Sequence, residues 1–345
     1  MDNPVCWKSH RNANILDPAP EAGTKNEMSR CIDSLLESTF ISSQAIIPSS
    51  RVHGLVRVTE FRVLLSFAFS DSIIASIPFA NSMKDCFFSS VRAGVEYINY
   101  RLKSKSRYGI HSPFVYAFCD KCLSIPVAQS DKKIIEKIKR ELKNDHQSLS
   151  IADHGAGSTR LGNKRKVSSI YKTSSSKGKY GRLLYRIAKF YNTEKILELG
   201  TSVGVGTSYL ALANPKALIT TVEGCPATAN IASRTLKMFE NVNIVNNTFD
   251  KYLDRLDDEK FDLIFLDGHH DGDALLNYTE RLINHMNDDC FLILDDIRWS
   301  KGMKNAWDKL LSDERFHLSM DFFRMGILMK RPAQEKEHFV IALKK

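Results

Sequence analysis

The feature that most constrains the fold is the segment 195–208, KILELGTSVGVGTS. Its first part has the apolar residues of a parallel strand that helices bury on both faces. Gly200, Gly204 and Gly206 then allow the backbone to turn sharply and to approach a ligand closely, because glycine has no Cβ. After the last glycine, TSYLALA returns apolar residues at helical spacing, so the loop leads into a helix N-terminus. The segment predicts a nucleotide-binding strand, loop and helix.

The spacing of the glycines indicates which cofactor this loop does not bind. Dinucleotide-binding loops have the pattern G-x-G-x-x-G. Here the pattern is G-x-x-x-G-x-G, and the third glycine of the dinucleotide motif would fall at Tyr209. An acid, Glu198, lies two residues before the first glycine. The spacing therefore disfavours an NAD-dependent oxidoreductase.

Three further apolar runs lead to acidic residues. ALITTVEG carries Glu223 near its end, FDLIFLDGHH contains Asp267, and CFLILDDI contains Asp295 and Asp296. Together with KILEL and VNIVNN, they predict five parallel strands with their carboxyl ends at one edge of a sheet, where ligands bind in such folds. An acid at the tip of the second strand can accept hydrogen bonds from both ribose hydroxyls, and Glu223 is placed for that role.

The chain divides into three regions that differ in composition and in the periodicity of their apolar residues. Residues 1–90 are rich in Ser and poor in periodicity, so we expect a poorly ordered or non-essential extension. Its most apolar run, 61–80, is interrupted by charged residues, whereas a membrane-spanning helix needs about 20 predominantly apolar residues. We therefore expect no stable membrane insertion. Residues 91–150 predict a layer of helices, and residues 151–345 carry the glycine loop and the strands.

Composition and charge limit the location and the partners. Seven scattered cysteines and a start without a secretory signal predict a cytoplasmic protein. The net charge is +9, and the segment 160–189 contains ten Lys or Arg residues and no Asp or Glu. One interpretation is a solvated face around the cofactor entrance. The alternative is a surface for RNA, because clustered cations gain affinity by neutralising phosphates.

The segments ELGTSVGVGTS, VEG, FDLIFLDGHH and LDDIRWSKGMKNAW resemble those of class I S-adenosylmethionine (SAM) dependent methyltransferases, over residues 160–345. Within that class the chain looks nearest to the catechol-type small-molecule O-methyltransferases and to an uncharacterised bacterial branch with the segment DDIxWSxGM. The resemblance implies an α/β, three-layer Rossmann-like sandwich with N-terminal helices. Its seven-stranded, mostly parallel sheet has the order 3-2-1-4-5-7-6, with the last strand antiparallel. We place the closing hairpin at the polar turn RPAQEK, between FHLSMDFFRMGILMK and EHFVIALK.

The resemblance also implies which residues bind SAM. They lie in and around the glycine loop and after the second, third and fourth strands: Glu198, Gly200, Thr201, Ser202, Gly204, Gly206, Glu223, Thr248 and Asp267. Asp250 is an alternative to Thr248 for the contact with adenine.

A divalent metal is a further implication of the resemblance. In catechol-type enzymes, an Asp after strand four and an acid–amide pair after strand five hold an ion that lowers the pKa of the acceptor hydroxyl. Asp267, Asp295 and Asp296 fall at those places, and their oxygen ligands suit Mg²⁺ or another hard divalent cation. Alternatively, Asp295 or Asp296 caps the next helix or pairs with Arg298.

Asp267 and His270 are the expected catalytic residues. His270 stands where the family has its base, and an unperturbed imidazole titrates near neutral pH; His269 is its rival. The expected function is SAM-dependent O-methylation of a small-molecule acceptor. RNA methylation through the segment 160–189 and SAM binding without catalysis are the alternatives. The oligomeric state is open, a homodimer included.

Overall fold

The computed structural model describes residues 94–105, 109–151, 164–173 and 176–343. The extension predicted for residues 1–90 lies outside the described residues. Within the described ranges, no helix combines the length and the apolar character that crossing a membrane requires.

The strands of the described chain form two sheets. In chain order they are β1 (Ser148–Ser150), β2 (Lys164–Lys166), β3 (Lys195–Leu199), β4 (Leu218–Glu223), β5 (Val242–Asn246), β6 (Phe261–Leu266), β7 (Met286–Leu294), β8 (Leu318–Asp321), β9 (Gly326–Met329) and β10 (Glu337–Val340). β1 and β2 form a small antiparallel pair. The other eight form one sheet in the order β10-β8-β9-β7-β6-β3-β4-β5. From β5 to β8, this confirms the predicted order of seven strands.

The end of the sheet differs from the prediction in two ways. The apolar run 316–330 folds back on itself, so the closing hairpin consists of β8 and β9, and its turn lies at residues 322–325. The segment after RPAQEK forms β10, an eighth strand that is parallel to β8. The antiparallel strand is therefore β9, which runs against both β7 and β8. Placing the hairpin at RPAQEK was wrong, because the real turn includes Phe322 and Met325, which are buried and give no polar signal.

Helices lie on both faces of the large sheet. In chain order they are α1 (94–103), α2 (Pro113–Ala117), α3 (Gln129–Asn144), α4 (Val167–Thr173), α5 (Lys179–Phe190), α6 (Val205–Ala213), α7 (Pro226–Leu236), α8 (Phe249–Leu253), α9 (Gly272–Leu282) and α10 (Lys301–Ser312). A π-helical turn, Phe118–Cys122, follows α2, and a 3-10 turn, Ile283–His285, follows α9. α1, α2 and α3 lie in the region 91–150, for which the sequence predicts a layer of helices.

The apolar core has one part on each face of the sheet. Ile196 of β3 packs in the cluster that includes residues of α3, α5 and α6, whereas Leu197 and Leu199 pack in the cluster that includes residues of α9 and α10. This division follows from the strand period of two, which points successive side chains to opposite faces. It confirms the predicted three layers. It also directs Glu198 to the same face as Ile196, where α6 lies.

Candidate active site

Two glycines of the loop have a backbone that other residues rarely adopt. Gly200 has a φ of +112° and Gly204 a φ of +84°. A Cβ on Gly200 would lie 2.2 Å from the carbonyl oxygen of Asp267, because β3 and β6 are adjacent and end together. Gly204 immediately precedes α6, and its N–H donates to the carbonyl of Thr201 at 2.9 Å. The loop thus connects the tip of β3 to a helix N-terminus, as predicted.

Glu198 lies beneath the loop and holds it in place. Its Oε2 accepts hydrogen bonds from Thr207 Oγ1 at 2.5 Å and Thr221 Oγ1 at 2.6 Å. Thr201 Oγ1 lies 2.6 Å from Thr221 Oγ1 and extends the network into the loop. A Cβ on Gly206 would lie 3.0 Å from Glu198 Oε1, so the glycine lets α6 approach the carboxylate. Glu198 is only 1% exposed, so the observed role of its carboxylate is to support the loop, and its contact with the cofactor stays a prediction.

Replacing Glu198 with Gln should change how stability depends on pH. Burial raises the pKa of Glu198 from its ordinary value of 4.5 to about 7. Between these two values the folded chain keeps a proton that the unfolded chain releases. The resulting stabilisation is complete below pH 4.5, and about 3 kcal/mol of it is lost as the pH rises through the folded-state pKa.

Urea unfolding of the wild type and Glu198→Gln at about pH 5 and about pH 8 measures this loss. The free energy of unfolding of the wild type should fall relative to that of the variant as the pH rises. An equal pH dependence of the two proteins would contradict the assignment.

Glu223, at the end of β4, faces the glycine loop. Its Oε2 accepts a hydrogen bond from the backbone N–H of Ser202 at 2.9 Å, and its Oε1 accepts one from Cys225 N at 2.9 Å. The Asn246 side chain donates to the Glu223 carbonyl at 2.7 Å. The carboxylate is therefore fixed between the loop and the start of α7, and it remains partly exposed. The structure brings Glu223 and the loop together, as the sequence predicted.

The two candidates for contact with adenine differ in their partners. Asp250 pairs with Arg281 at 3.1 Å and accepts a hydrogen bond from Tyr278 at 3.4 Å. Thr248 is the N-cap of α8, and its Oγ1 lies 3.4 Å from Lys251 N. Because Asp250 is engaged in an ion pair, Thr248 is the better placed of the two, and its role stays a prediction.

The tips of β6 and β7 bring Asp267, Asp295 and Asp296 together, and Arg324 joins them. Asp295 is 2% exposed, and Arg324 donates to both of its oxygens, with Nε 2.9 Å from Oδ1 and Nη2 against Oδ2. Arg324 Nε is also 2.9 Å from Asp296 Oδ1. Ser176 Oγ donates to Asp267 Oδ2 at 3.1 Å and lies 3.4 Å from Asp295 Oδ2. The cluster thus contains three carboxylates and one cation.

The charges in this cluster influence one another strongly. Burial and the Asp295 carboxylate raise the pKa of Asp267 well above its ordinary value. The same two causes raise the pKa of Asp296, against the attraction of Arg324. Burial opposes the charge of Arg324, but Asp295 and Asp296 raise its pKa, so the guanidinium stays protonated. Among the described residues, no group of three or more His, Cys, Asp or Glu side chains is arranged to hold a metal ion.

The alternative roles considered for Asp295 and Asp296 are not observed. The N-cap of α10 is Ser300, whose Oγ accepts a hydrogen bond from Met303 N at 3.1 Å. Arg298 pairs with Asp321 at 2.6 Å. Neither aspartate caps that helix, and the arginine that contacts them comes from a different part of the chain.

His270 is better placed than His269 to act on an acceptor. His270 Nε2 lies 3.8 Å from Asp296 Oδ2, and its ring centroid is 5.8 Å from that of Trp299. Trp299 is 70% exposed, so the two rings form an aromatic surface beside the carboxylate cluster. His269 Nδ1 lies 2.7 Å from the hydroxyl of Tyr278, which ties it to α9. His269 is thus engaged by Tyr278, whereas His270 borders the carboxylate cluster, and the role of His270 as a base stays a prediction.

Two residues of the site were not found from the sequence. Arg324 lies in a run that the sequence pattern predicts to be β-strand, because the turn of the β8–β9 hairpin carries no Gly, Pro or Asn. Ser176 stands in the Ser-rich stretch before α5, where nothing distinguishes it from its neighbours. Only the fold reveals that both side chains reach the tips of β6 and β7.

Some basic side chains of the segment 160–189 form hydrogen bonds within the chain. Lys177 Nζ donates to the carbonyls of Tyr171 and Lys172 at 3.0 and 2.6 Å, and Arg186 Nε donates to the carbonyl of Ile125 at 2.8 Å. The three basic residues of β2 are exposed. A solvated face and a surface for RNA both stay predictions for this exposed part.

Residues 197–297 match a family model described as a methyltransferase domain. The matched segment begins in β3 and includes the glycine loop, Glu223 and the three aspartates. A comparison with curated proteins finds no match.

Solved structures of methyltransferases are similar to the chain at low identity. A methyltransferase from Podospora anserina, bound to S-adenosylhomocysteine (SAH), has 15% identity over 64% of this chain and 97% of its own, with a TM-score of 0.43. An O-methyltransferase from Bacillus cereus in complex with SAH has 16% identity, covers 63% and 96%, and has a TM-score of 0.41. An O-methyltransferase from Streptomyces achromogenes, involved in tomaymycin synthesis and in complex with SAM, has 16% identity, covers 63% and 94%, and has a TM-score of 0.43.

The chain therefore contains a methyltransferase domain. This match and the order of the strands agree with the class predicted from the glycine loop and the strand tips, a class I SAM-dependent methyltransferase.

Proposed function

We propose that this enzyme transfers the methyl group of SAM to a hydroxyl oxygen of a small-molecule acceptor. The observation that carries the proposal is the position of Glu223, whose carboxylate faces the glycine loop with Oε2 2.9 Å from Ser202 N. Each carboxylate oxygen can accept more than one hydrogen bond. Glu223 can therefore bind the ribose hydroxyls while it keeps its contacts to the backbone.

The residues around Glu223 fit the rest of an adenosyl cofactor. Gly204 immediately precedes α6, so the loop ends at a helix N-terminus, and Thr248 lies after β5 for contact with the adenine. Asp267 follows β6, directly beside Gly200. It thus stands between the cofactor side and the acceptor side of the sheet edge. SAM supplies an electrophilic methyl group on a sulfonium, so these residues need only bind and align it.

The acceptor side consists of Asp296, His270 and Trp299. The exposed indole of Trp299 offers a flat apolar surface, which suits an aromatic acceptor. His270, whose ring borders that surface, can take the proton of an acceptor hydroxyl in general base catalysis. A catechol-type acceptor fits both features and agrees with the resemblance of the sequence.

Replacing His270 with Gln should lower kcat about 100-fold, because the amide cannot accept the acceptor proton. The dissociation constant for SAM should not change, since His270 lies on the acceptor side. His269→Gln is the matched control, because His269 is tied to Tyr278 and its loss should leave kcat within about threefold of the wild type. Steady-state release of SAH from SAM and catechol measures both variants. A larger loss of kcat in His269→Gln would reverse the assignment of the base.

Methyl-labelled SAM tests the proposed reaction directly. We expect the label to appear on the oxygen of catechol, as identified by mass spectrometry of the product. Transfer of label to total RNA, without transfer to catechol or related phenols, would support RNA methylation. SAM binding in calorimetry without transfer to any acceptor of the panel would support a non-catalytic role.

A further inference from the structure

The aspartates after β6 and β7 are not disposed as an open metal site. An ion of the Mg²⁺ type needs several oxygen ligands that are free to converge on one point. Asp295, which is 2% exposed, gives both of its oxygens to Arg324, and Asp296 Oδ1 lies 2.9 Å from Arg324 Nε. Asp267 Oδ2 accepts a hydrogen bond from Ser176. The oxygens of these three carboxylates do not fit a divalent ion, because a guanidinium lies between two of the carboxylates.

Arg324 is held firmly by its backbone and its side chain. It lies in the 322–325 turn, where its carbonyl accepts a hydrogen bond from Ile297 N at 3.0 Å and its N–H donates to Phe322 O at 3.1 Å. Its guanidinium carbon is 5.6 Å from the ring centroid of Tyr180, and the Tyr180 hydroxyl donates to Phe322 O at 3.2 Å. The position of the charge relative to the tip of β7 is therefore fixed by the fold.

One nitrogen of this guanidinium, Nη1, is available to bind a ligand. Nε and Nη2 make the contacts with the two aspartates, whereas Nη1 makes no hydrogen bond or ion pair with any described residue. The Arg324 side chain is 27% exposed. Nη1 carries two N–H donors that can therefore meet an oxygen of a ligand. Arginine stays protonated at working pH, so such a contact stabilises an oxyanion.

We propose that Arg324 is a catalytic residue that takes the place of a divalent cation, with Nη1 binding the acceptor oxygen and stabilising its deprotonated form. The proposal rests on the proposed O-methylation, and it makes the enzyme independent of bound metal. The acceptor hydroxyl gives its proton to His270, and its oxygen forms a bond to the methyl carbon. The carbon–sulfur bond breaks with its electron pair going to sulfur. The products are the methylated acceptor and SAH, with the proton left on His270.

Binding of Mn²⁺ to the full chain in the presence of SAM, followed by electron paramagnetic resonance, tests the proposal without requiring turnover. We expect the wild type to have no Mn²⁺ site with a dissociation constant below about 1 mM. Arg324→Met should release the carboxylates and bind Mn²⁺ at least about tenfold more tightly than the wild type. With catechol as the acceptor, turnover of the wild type should be unchanged by EDTA.

The Arg324 variants add a kinetic test. Arg324→Met should lower kcat about 100-fold with an unchanged SAM dissociation constant. Arg324→Lys keeps a charge at the same place and should retain part of the activity, which also guards against a Met variant that does not fold. Arg281→Met is the matched control, because Arg281 also pairs with two aspartates, Asp250 and Asp254. It should change neither Mn²⁺ binding nor kcat.

Two results would overturn the proposal: tight Mn²⁺ binding by the wild type, or loss of wild-type turnover in EDTA with recovery on addition of Mg²⁺. Either would return Asp267, Asp295 and Asp296 to the role of metal ligands. Failure of the wild type to bind SAM is a different outcome, because it would remove the proposed function as well. The Mn²⁺ measurement on the wild type gives a result even if catechol is not an acceptor.

Discussion

Replacing Glu223 with Ala should weaken SAM binding at least about 100-fold. A hydrogen bond to a charged group contributes about 1.5–3 kcal/mol, and the proposed role of Glu223 gives it two such bonds to the ribose. The substitution also removes the acceptor for Ser202 N, which Glu223 Oε2 holds at 2.9 Å. The loop therefore loses an anchor as well as a ligand for the cofactor. Isothermal titration with SAM measures the change in the dissociation constant.

Two variants make this result specific. Glu223→Gln keeps an oxygen acceptor near Ser202 but loses the charge, so its affinity for SAM should lie between those of the wild type and Glu223→Ala. Glu240→Ala removes an exposed acid from the segment between α7 and β5, and its affinity for SAM should equal that of the wild type. Equal SAM affinity in Glu223→Ala and the wild type would remove the assignment of the glycine loop as the cofactor site.

Replacing Gly200 with Ala should destabilise the folded chain by about 4 kcal/mol. The φ of +112° is unfavourable for any residue with a Cβ, at a cost of about 1–3 kcal/mol. The added Cβ would lie 2.2 Å from the carbonyl oxygen of Asp267. The Cβ is attached directly to the backbone at the end of β3, and the carbonyl oxygen belongs to the backbone after β6. Relief therefore requires β3 and β6 to shift apart, at a further cost of about 1–3 kcal/mol. Because the same shift displaces the cofactor loop, any folded Gly200→Ala should also bind SAM weakly.

Gly302→Ala is the matched control for this substitution. Gly302 lies in the first turn of α10, and an added Cβ would come no closer than 3.6 Å to Ser300 Oγ. In a helix, Ala is favoured over Gly by about 0.5–1 kcal/mol, so this variant should be as stable as the wild type or slightly more stable. Urea unfolding of both variants measures the difference. Similar free energies of unfolding for the two would contradict the tight approach of β3 and β6.

The loop, Glu223 and the three aspartates could be predicted from the sequence because each follows a short apolar strand. When such strands pair in parallel, their carboxyl ends meet, so the residues after them must converge at one edge. The β8–β9 hairpin could not be predicted in the same way. Phe322 and Met325 belong to its turn and are fully buried, so the turn has the composition of a strand.

The role of Glu198 shows a second limit of local patterns. Its position before the glycines suggested a ligand of the cofactor, but alternation along β3 directs its side chain toward α6. Whether that direction meets solvent or other side chains depends on how closely α6 packs. The structure places Thr207 and Thr221 against the carboxylate, so Glu198 supports the loop, whereas its contact with the cofactor stays a prediction.

By itself, the sequence determined the α/β class and the glycine loop, since these follow from strand and helix periods and from glycines at defined positions. The order of the strands β3–β9 was implied by the resemblance to a known family. Only the tertiary structure decided which cation meets the aspartates. Arg324 reaches Asp295 across 29 residues of sequence, because β9 inserts between β7 and β8 and brings its turn to the tip of β7. Contacts of this kind depend on which strands become neighbours, and no local pattern of residues encodes that choice.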